Sequence, residues 1–142
     1  MPRKPGSTLA ASAVTAAVLL TTLVATATPA SASSVSCNIP RYAGSYYCAT
    51  GVLGTTNLHQ ITVTARYGYY PADIPPSGAV TCRVYDVDTW VNVGVVSATR
   101  LFPTQRATIP GLYNRYFAQC VRTTATGGAD YRGGGGGELW ND

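Results

Sequence analysis

Gln60-Ile61-Thr62-Val63-Thr64-Ala65-Arg66-Tyr67 alternates without a break. Ile61, Val63, Ala65 and Tyr67 fall on one side of an extended chain and Thr62, Thr64 and Arg66 on the other, the period of a strand with one face on a core. The same period returns in Ala79 to Val87, where Val80, Cys82 and Val84 oppose Thr81, Arg83 and Tyr85. It returns again in Arg115 to Thr124, where Tyr116, Ala118 and Cys120 oppose Phe117, Gln119 and Val121. Further strands are expected around Cys48 (Ser45 to Leu53), in the Val-rich Trp90 to Ser97, and in Arg100 to Ile109. No segment sustains a helical period. Pro71, Pro75-Pro76-Ser77-Gly78, Pro103 and Pro110-Gly111 separate the runs, and these residues fix turns and avoid central strands. The expected fold is all-β, a small disulfide-bonded antiparallel β-sandwich of about six strands.

Upstream of this block, Arg3 and Lys4 precede an uncharged apolar and small-residue stretch from Leu9 to Ala27. Pro29 then breaks the run and Ala30-Ser31-Ala32 offers small residues at a cleavage site, so residues 1–32 read as a secretory signal cut before Ser33. Ser12, Thr15, Thr21, Thr22 and Thr26 dilute the stretch and argue against a retained membrane anchor. Cys37 follows Ser34-Val35-Ser36, without the leucine-like residue that a lipoprotein site wants. Loss of Arg3 and Lys4 leaves eight arginines against six acids, a net charge near +2. Those arginines are spread along the chain, which gives no footprint for nucleic acid.

The remaining chain of about 110 residues suits one domain that is marginal without help. Cys37, Cys48, Cys82 and Cys120 supply the help, because an exported chain meets an oxidising compartment. Four cysteines allow three connectivities, of which Cys37 with Cys48 and Cys82 with Cys120 is the favoured one. The first pair brackets a short turn-rich segment and the second can tie two strands together. No C-x-x-C spacing and a single histidine leave little for a metal, and no cofactor is called for. After Thr126 the composition turns to glycine, Gly127-Gly128 and then Gly133 to Gly137. The domain is therefore expected over 33–126, with 127–142 a flexible Gly-rich tail ending in a frayed Trp140.

Catalytic arrangements are poorly supplied. His59 is the only histidine, and no G-x-S-x-G surrounds a serine. Asp86-Val87-Asp88 is the one close acidic pair; calcium wants six to eight oxygens, so the pair is expected to end a strand in solvent. The chain reads as no enzyme. Tyrosine is what it has in excess, ten of them, together with Trp90 and Trp140. Tyr and Arg give stiff contact area with a polar tip, the chemistry of recognition surfaces. Tyr67, Tyr85 and Tyr116 lie in strands and are read as structural. Recognition is assigned to two turn clusters: Arg41, Tyr42, Tyr46 and Tyr47 in the small disulfide loop, and Tyr69 and Tyr70 before Pro71.

Pro40-Arg41-Tyr42 between the first two cysteines, Gln60-Ile61-Thr62-Val63-Thr64, and Arg115-Tyr116-Phe117-Ala118-Gln119-Cys120 together resemble the small secreted microbial α-amylase inhibitor (tendamistat-like) family. The likeness spans Cys37 to Cys120. It implies a two-disulfide β-sandwich with consecutive pairing and an inhibitory contact through the first disulfide loop. The family presents Trp-Arg-Tyr there; Pro40 stands in place of the Trp. The sequence thus points to a secreted, non-enzymatic β-domain that binds an extracellular protein or glycan, an enzyme inhibitor being its most concrete form. The alternative is a structural protein associated with the cell surface.

Overall fold

The computed structural model describes residues 32–42, 44–68, 78–124, 126–130 and 133–141. The leader assigned to 1–32 lies, apart from Ala32, outside them. The described chain is all-β, in nine strands: β1 (Ser34–Ile39), β2 (Tyr47–Ala49), β3 (Leu53–Gly54), β4 (Gln60–Gly68), β5 (Gly78–Asp86), β6 (Asn92–Thr99), β7 (Thr104–Pro110), β8 (Arg115–Thr124) and β9 (Gly134–Trp140). They form two antiparallel sheets. One, sheet A, has the order β1-β9-β4-β7; the other, sheet B, has the order β2-β8-β5-β6, with β3 also on β8. None of the described residues forms a helix long and apolar enough to cross a membrane.

The alternating runs become the walls of the core. Ile61, Val63, Ala65 and Tyr67 of β4 point inward toward Val80, Cys82 and Val84 of β5 and Tyr116, Ala118 and Cys120 of β8, all of them buried. Burying each large apolar side chain contributes roughly 1.5–3 kcal/mol. The other face of β4 departs from expectation, since Thr62 and Thr64 are also buried. β4 is an interior strand. Trp140 and Thr108 flank Thr62 in register, and Glu138 and Arg106 flank Thr64. The long side chains among these neighbours screen the threonines, and the Thr62 and Thr108 hydroxyls bond each other at 2.9 Å.

Cys82 and Cys120 stand directly opposite on β5 and β8 and are bridged, while the Cys37–Cys48 bridge joins β1 of sheet A to β2 of sheet B. One staple therefore lies within a sheet and the other between sheets. The two are adjacent: the sulfurs of Cys37, Cys48 and Cys120 lie within 4.8 Å of one another.

The largest correction concerns the glycine-rich end, which is neither a tail nor outside the domain. Gly134–Trp140 is β9, paired on both edges, with β1 on one side and β4 on the other. Composition alone suggests a linker because glycine contributes no side chain to a core. Here the absence of a side chain is what the core requires. A Cβ on Gly137 would stand 2.3 Å from the Cys120 sulfur and 2.6 Å from that of Cys82, so β9 lies directly on the disulfide. A Cβ on Gly133 would fall inside the guanidinium of Arg122. That arginine is itself a surprise, being 2 % exposed. It donates to Asp130 at 2.7 Å, to the Gly68 carbonyl at 3.0 Å, to the Tyr67 hydroxyl at 3.2 Å and to the Gly134 carbonyl, and it lies over the Tyr67 ring. Each of its three nitrogens has at least one acceptor, as a buried guanidinium needs. Nine strands replace the expected six because β1 and β9 were not read as strands and the region around Cys48 divides into β2 and β3.

Candidate functional site

The outward positions of sheet B form a continuous surface. Residues opposite one another in register point the same way. Tyr85 of β5 is paired with Phe117 of β8; Arg83 with Gln119 and, on the other side, Val95; Thr81 with Val121 and Ser97; and Val121 in turn with Tyr47 of β2. The Tyr85 and Phe117 rings are stacked at 5.6 Å between centroids, and Trp90 meets Phe117 edge-on at 5.3 Å. Trp90, Val91, Val95 and Tyr47 are each more than half exposed. Arg83 stands in the middle of this face, and among the described residues no carboxylate pairs with it. Tyr85, read from sequence as structural, belongs to this surface.

Trp90 reaches the face because of the β5–β6 turn. Asp86, 5 % exposed, takes N–H bonds from Asp88 and Thr89 on one carboxylate oxygen, each at 2.9 Å, and the Asn114 amide at 2.8 Å on the other. The buried Tyr116 hydroxyl accepts the backbone N–H of Asn114 at 3.3 Å, fixing that amide in turn. The Asp86 carbonyl receives the Trp90 N–H at 2.9 Å. Trp90 adopts φ 59°, a conformation that costs a bulky residue free energy of order 1–3 kcal/mol and persists only where its surroundings impose it. The Asn114 and Thr89 hydrogen bonds hold the Asp86 carboxyl below its ordinary value of 3.8, against the opposing effect of burial. Asp86 is thus a turn-holding carboxylate and not the solvated strand end expected of it. A register shift between Val84 and Tyr85 accompanies the turn and strengthens the local twist.

The residues assigned to recognition from sequence do not form one cluster. Tyr47 lies on the outer face of sheet B, four residues of β8 from Phe117, or about 13 Å, with Tyr46 edge-on to it at 5.6 Å. Arg41 lies over the Tyr42 ring at 5.1 Å in the β1–β2 turn, at the other end of the sandwich from Trp90. Tyr42 is 62 % exposed, at φ 53°. Tyr69 and Tyr70 lie outside the described residues. Trp90, Phe117, Arg83 and Val95 were missed. A signal for them existed, since Tyr85 and Phe117 both occupy outward positions of alternating strands, but their juxtaposition needed the register.

The described acidic side chains have partners away from this face. Among the described acids, Asp86 holds its turn, Asp88 pairs with Arg115 at 3.2 Å, Asp130 with Arg122 and Glu138 with Arg66 at 2.6 Å. His59 is exposed and lies 4.4 Å from the Tyr113 ring. The clustered sulfurs are tied up in the two bridges and offer no thiolate to a metal. The outer face of sheet B offers a partner an apolar aromatic strip and one central cation. The sequence matches no protein-family model and no curated protein.

Proposed function

We propose that the chain is a secreted, non-catalytic binding domain that engages an extracellular protein through the outer face of β2-β8-β5-β6. The observation that carries this reading is the contiguous Tyr85–Phe117–Trp90 strip beside Arg83 on the outer face of sheet B. Trp, Tyr and Arg dominate the energetics of protein interfaces, and they act best when held rigidly. The hydrogen-bonded turn supplies that rigidity. The partner surface would present an apolar ridge to the strip and a carboxylate to Arg83. Export is supported by the leader-like start of the chain and by the two disulfides, which suit an oxidising compartment.

Enzyme inhibition is the most concrete form of this activity, in keeping with the resemblance to the small secreted α-amylase inhibitors. The contact surface would differ, with Trp90 on sheet B supplying the aromatic anchor in place of the first disulfide loop, whose Pro40-Arg41-Tyr42 lies at the other end of the sandwich. Purified protein is to be titrated against a panel of extracellular amylases and proteases. Inhibition that weakens at least about 30-fold in Trp90→Ala, as loss of a hot spot of about 2 kcal/mol requires, supports the proposal. Absence of inhibition at micromolar excess removes the inhibitor form. Inhibition indifferent to Trp90 and Phe117 removes the face.

A further inference from the structure

The two sheets differ in their outer faces. On sheet A the outward positions of the central strand β9 are Gly134, Gly136, Glu138 and Trp140, so half of that strand has no side chain on its solvent face. On either side the neighbours do: Asn38 of β1 and Arg66 of β4 are both in register with Gly136. Two walls two strand spacings apart, about 9.6 Å, thus flank a floor of bare backbone. The resulting groove has a volume of about 580 Å³ and is lined by Ser36, Cys37, Asn38, Arg66, Tyr67, Gly68 and Gly135 to Gly137. That volume is in the range of small-ligand sites. The floor is fixed, because a Cβ on Gly136 would meet the Cys37 carbonyl oxygen at 2.2 Å. Glu138 is the next outward residue of β9 at one end of the lining; toward the other end Gly134 leads to Arg41, whose Cβ lies 3.9 Å from where a Gly134 Cβ would stand.

We infer that this groove is a binding site for a neutral oligosaccharide lying along β9. Three observations select the ligand class. Arg66 gives one bond to Glu138 at 2.6 Å and keeps its remaining N–H donors, with its side chain 59 % exposed. Glu138 neutralises it, so the described lining residues keep no unpaired charge to attract a phosphate, sulfate or carboxylate. Among the described residues Tyr67 is the one aromatic of the lining, and it is buried with its hydroxyl on Arg122, which leaves no pocket for a peptide anchor. What remains is a set of planar or small polar groups, the guanidinium, the Asn38 amide, the Ser36 hydroxyl and the Glu138 carboxylate. Between them they donate and accept, as adjacent sugar hydroxyls require. A glycine strand also allows close approach of a ligand to backbone, and its Cα–H surface suits the C–H face of a pyranose. This site is on the opposite sheet from the aromatic strip and does not depend on it.

The test is calorimetric titration of the intact purified protein with the hexasaccharides of cellulose, chitin, xylan and amylose, and with oligogalacturonate as the anionic probe. Binding of at least one neutral hexasaccharide with a Kd below about 1 mM is expected, weakened tenfold or more by Asn38→Ala and by Arg66→Ala and unchanged by Trp90→Ala. Gly134→Leu, whose Cβ would stand at the end of the groove 3.3 Å from the Ile39 carbonyl oxygen and 3.9 Å from the Arg41 Cβ, should block it, and its thermal transition reports that the fold is kept. No neutral binding, binding of oligogalacturonate alone, or binding that survives Asn38→Ala and Gly134→Leu but is lost with Trp90 overturns the inference. Failure in that last manner would leave the sheet B face intact as a recognition surface.

Discussion

Gly137→Ala is the sharpest perturbation of the fold. The new methyl carbon would stand 2.3 Å from one sulfur of the Cys82–Cys120 bridge, 2.6 Å from the other and 3.1 Å from the Thr64 carbonyl oxygen. None of these is the loose end of a side chain. The bridge is fully buried and anchored on two central strands, so either β9 or the bridge must shift. Overpacking of this kind costs about 1–3 kcal/mol, and the upper end applies where nothing nearby can yield. Replacing glycine stiffens the unfolded chain and returns about 0.4–1 kcal/mol. The net loss is about 2 kcal/mol, equivalent to a fall in Tm of about 8–16 °C for a domain of this size. Thermal unfolding followed by circular dichroism measures it. The same substitution in a Cys82→Ala, Cys120→Ala background should cost almost nothing, because the methyl then occupies space the sulfurs vacated. The coupling between the sites should approach about 2 kcal/mol. Gly134→Ala, whose Cβ would keep 3.3 Å from its nearest neighbour, is the control and should shift Tm little. A Gly137→Ala protein as stable as the parent, or a penalty unchanged without the bridge, would refute the packing of β9 on the disulfide.

Other elements give further expectations. Arg122→Met removes a buried guanidinium that bonds the Asp130 carboxylate and the Gly68 and Gly134 carbonyls, so urea unfolding should show a loss of about 3 kcal/mol; Arg122→Lys should recover only part, since an ammonium lacks the planar fork. The Asp86 carboxyl is held below 3.8 in the folded state, so its stabilisation is present above that pH and fades as pH falls through the folded value. Urea midpoints between pH 5 and pH 2 should therefore drop more steeply for the parent than for Asp86→Asn. Cys82 and Cys120 are fully buried whereas Cys37 and Cys48 are half-buried. Under a mild thiol reductant, alkylation followed by mass spectrometry should find Cys37 and Cys48 modified first. Trp90→Ala should leave Tm close to that of the parent, because the indole is 70 % exposed.

The parts of the fold legible in the sequence were those where a strand has one dry face. β5 and β8 declare themselves by alternation, and their cysteines sit on the inward phase, so the bridge between them was foreseeable. β4 was legible as a strand but not as an interior one, since its threonines look solvated until Trp140 and Glu138 are placed beside them. β9 carried almost no signal. Five glycines have neither propensity nor period, and their meaning comes only from what approaches them: the disulfide at Gly137 and the Arg122 guanidinium at Gly133. Only Glu138-Leu139-Trp140 alternates, with Leu139 inward, and three residues are too few to define a strand. The aromatic strip was hidden differently. Tyr85 and Phe117 could each be assigned to an outward phase, but their pairing depends on register, and Trp90 reaches them through a turn held by Asp86 and Asn114, residues far apart in the chain. Turn chemistry between distant segments leaves no local pattern to read.

The binding role of sheet B can be tested most directly by placing a photo-crosslinking amino acid at position 90 and irradiating the protein in the native extracellular medium of its source. One discrete crosslinked protein is expected, identified by mass spectrometry, whose yield falls when unlabelled parent protein is added and persists when the Phe117→Ala, Arg83→Ala variant is added instead. Crosslinks that are diffuse, or that parent and variant compete equally well, would contradict a recognition surface at Tyr85, Phe117 and Trp90.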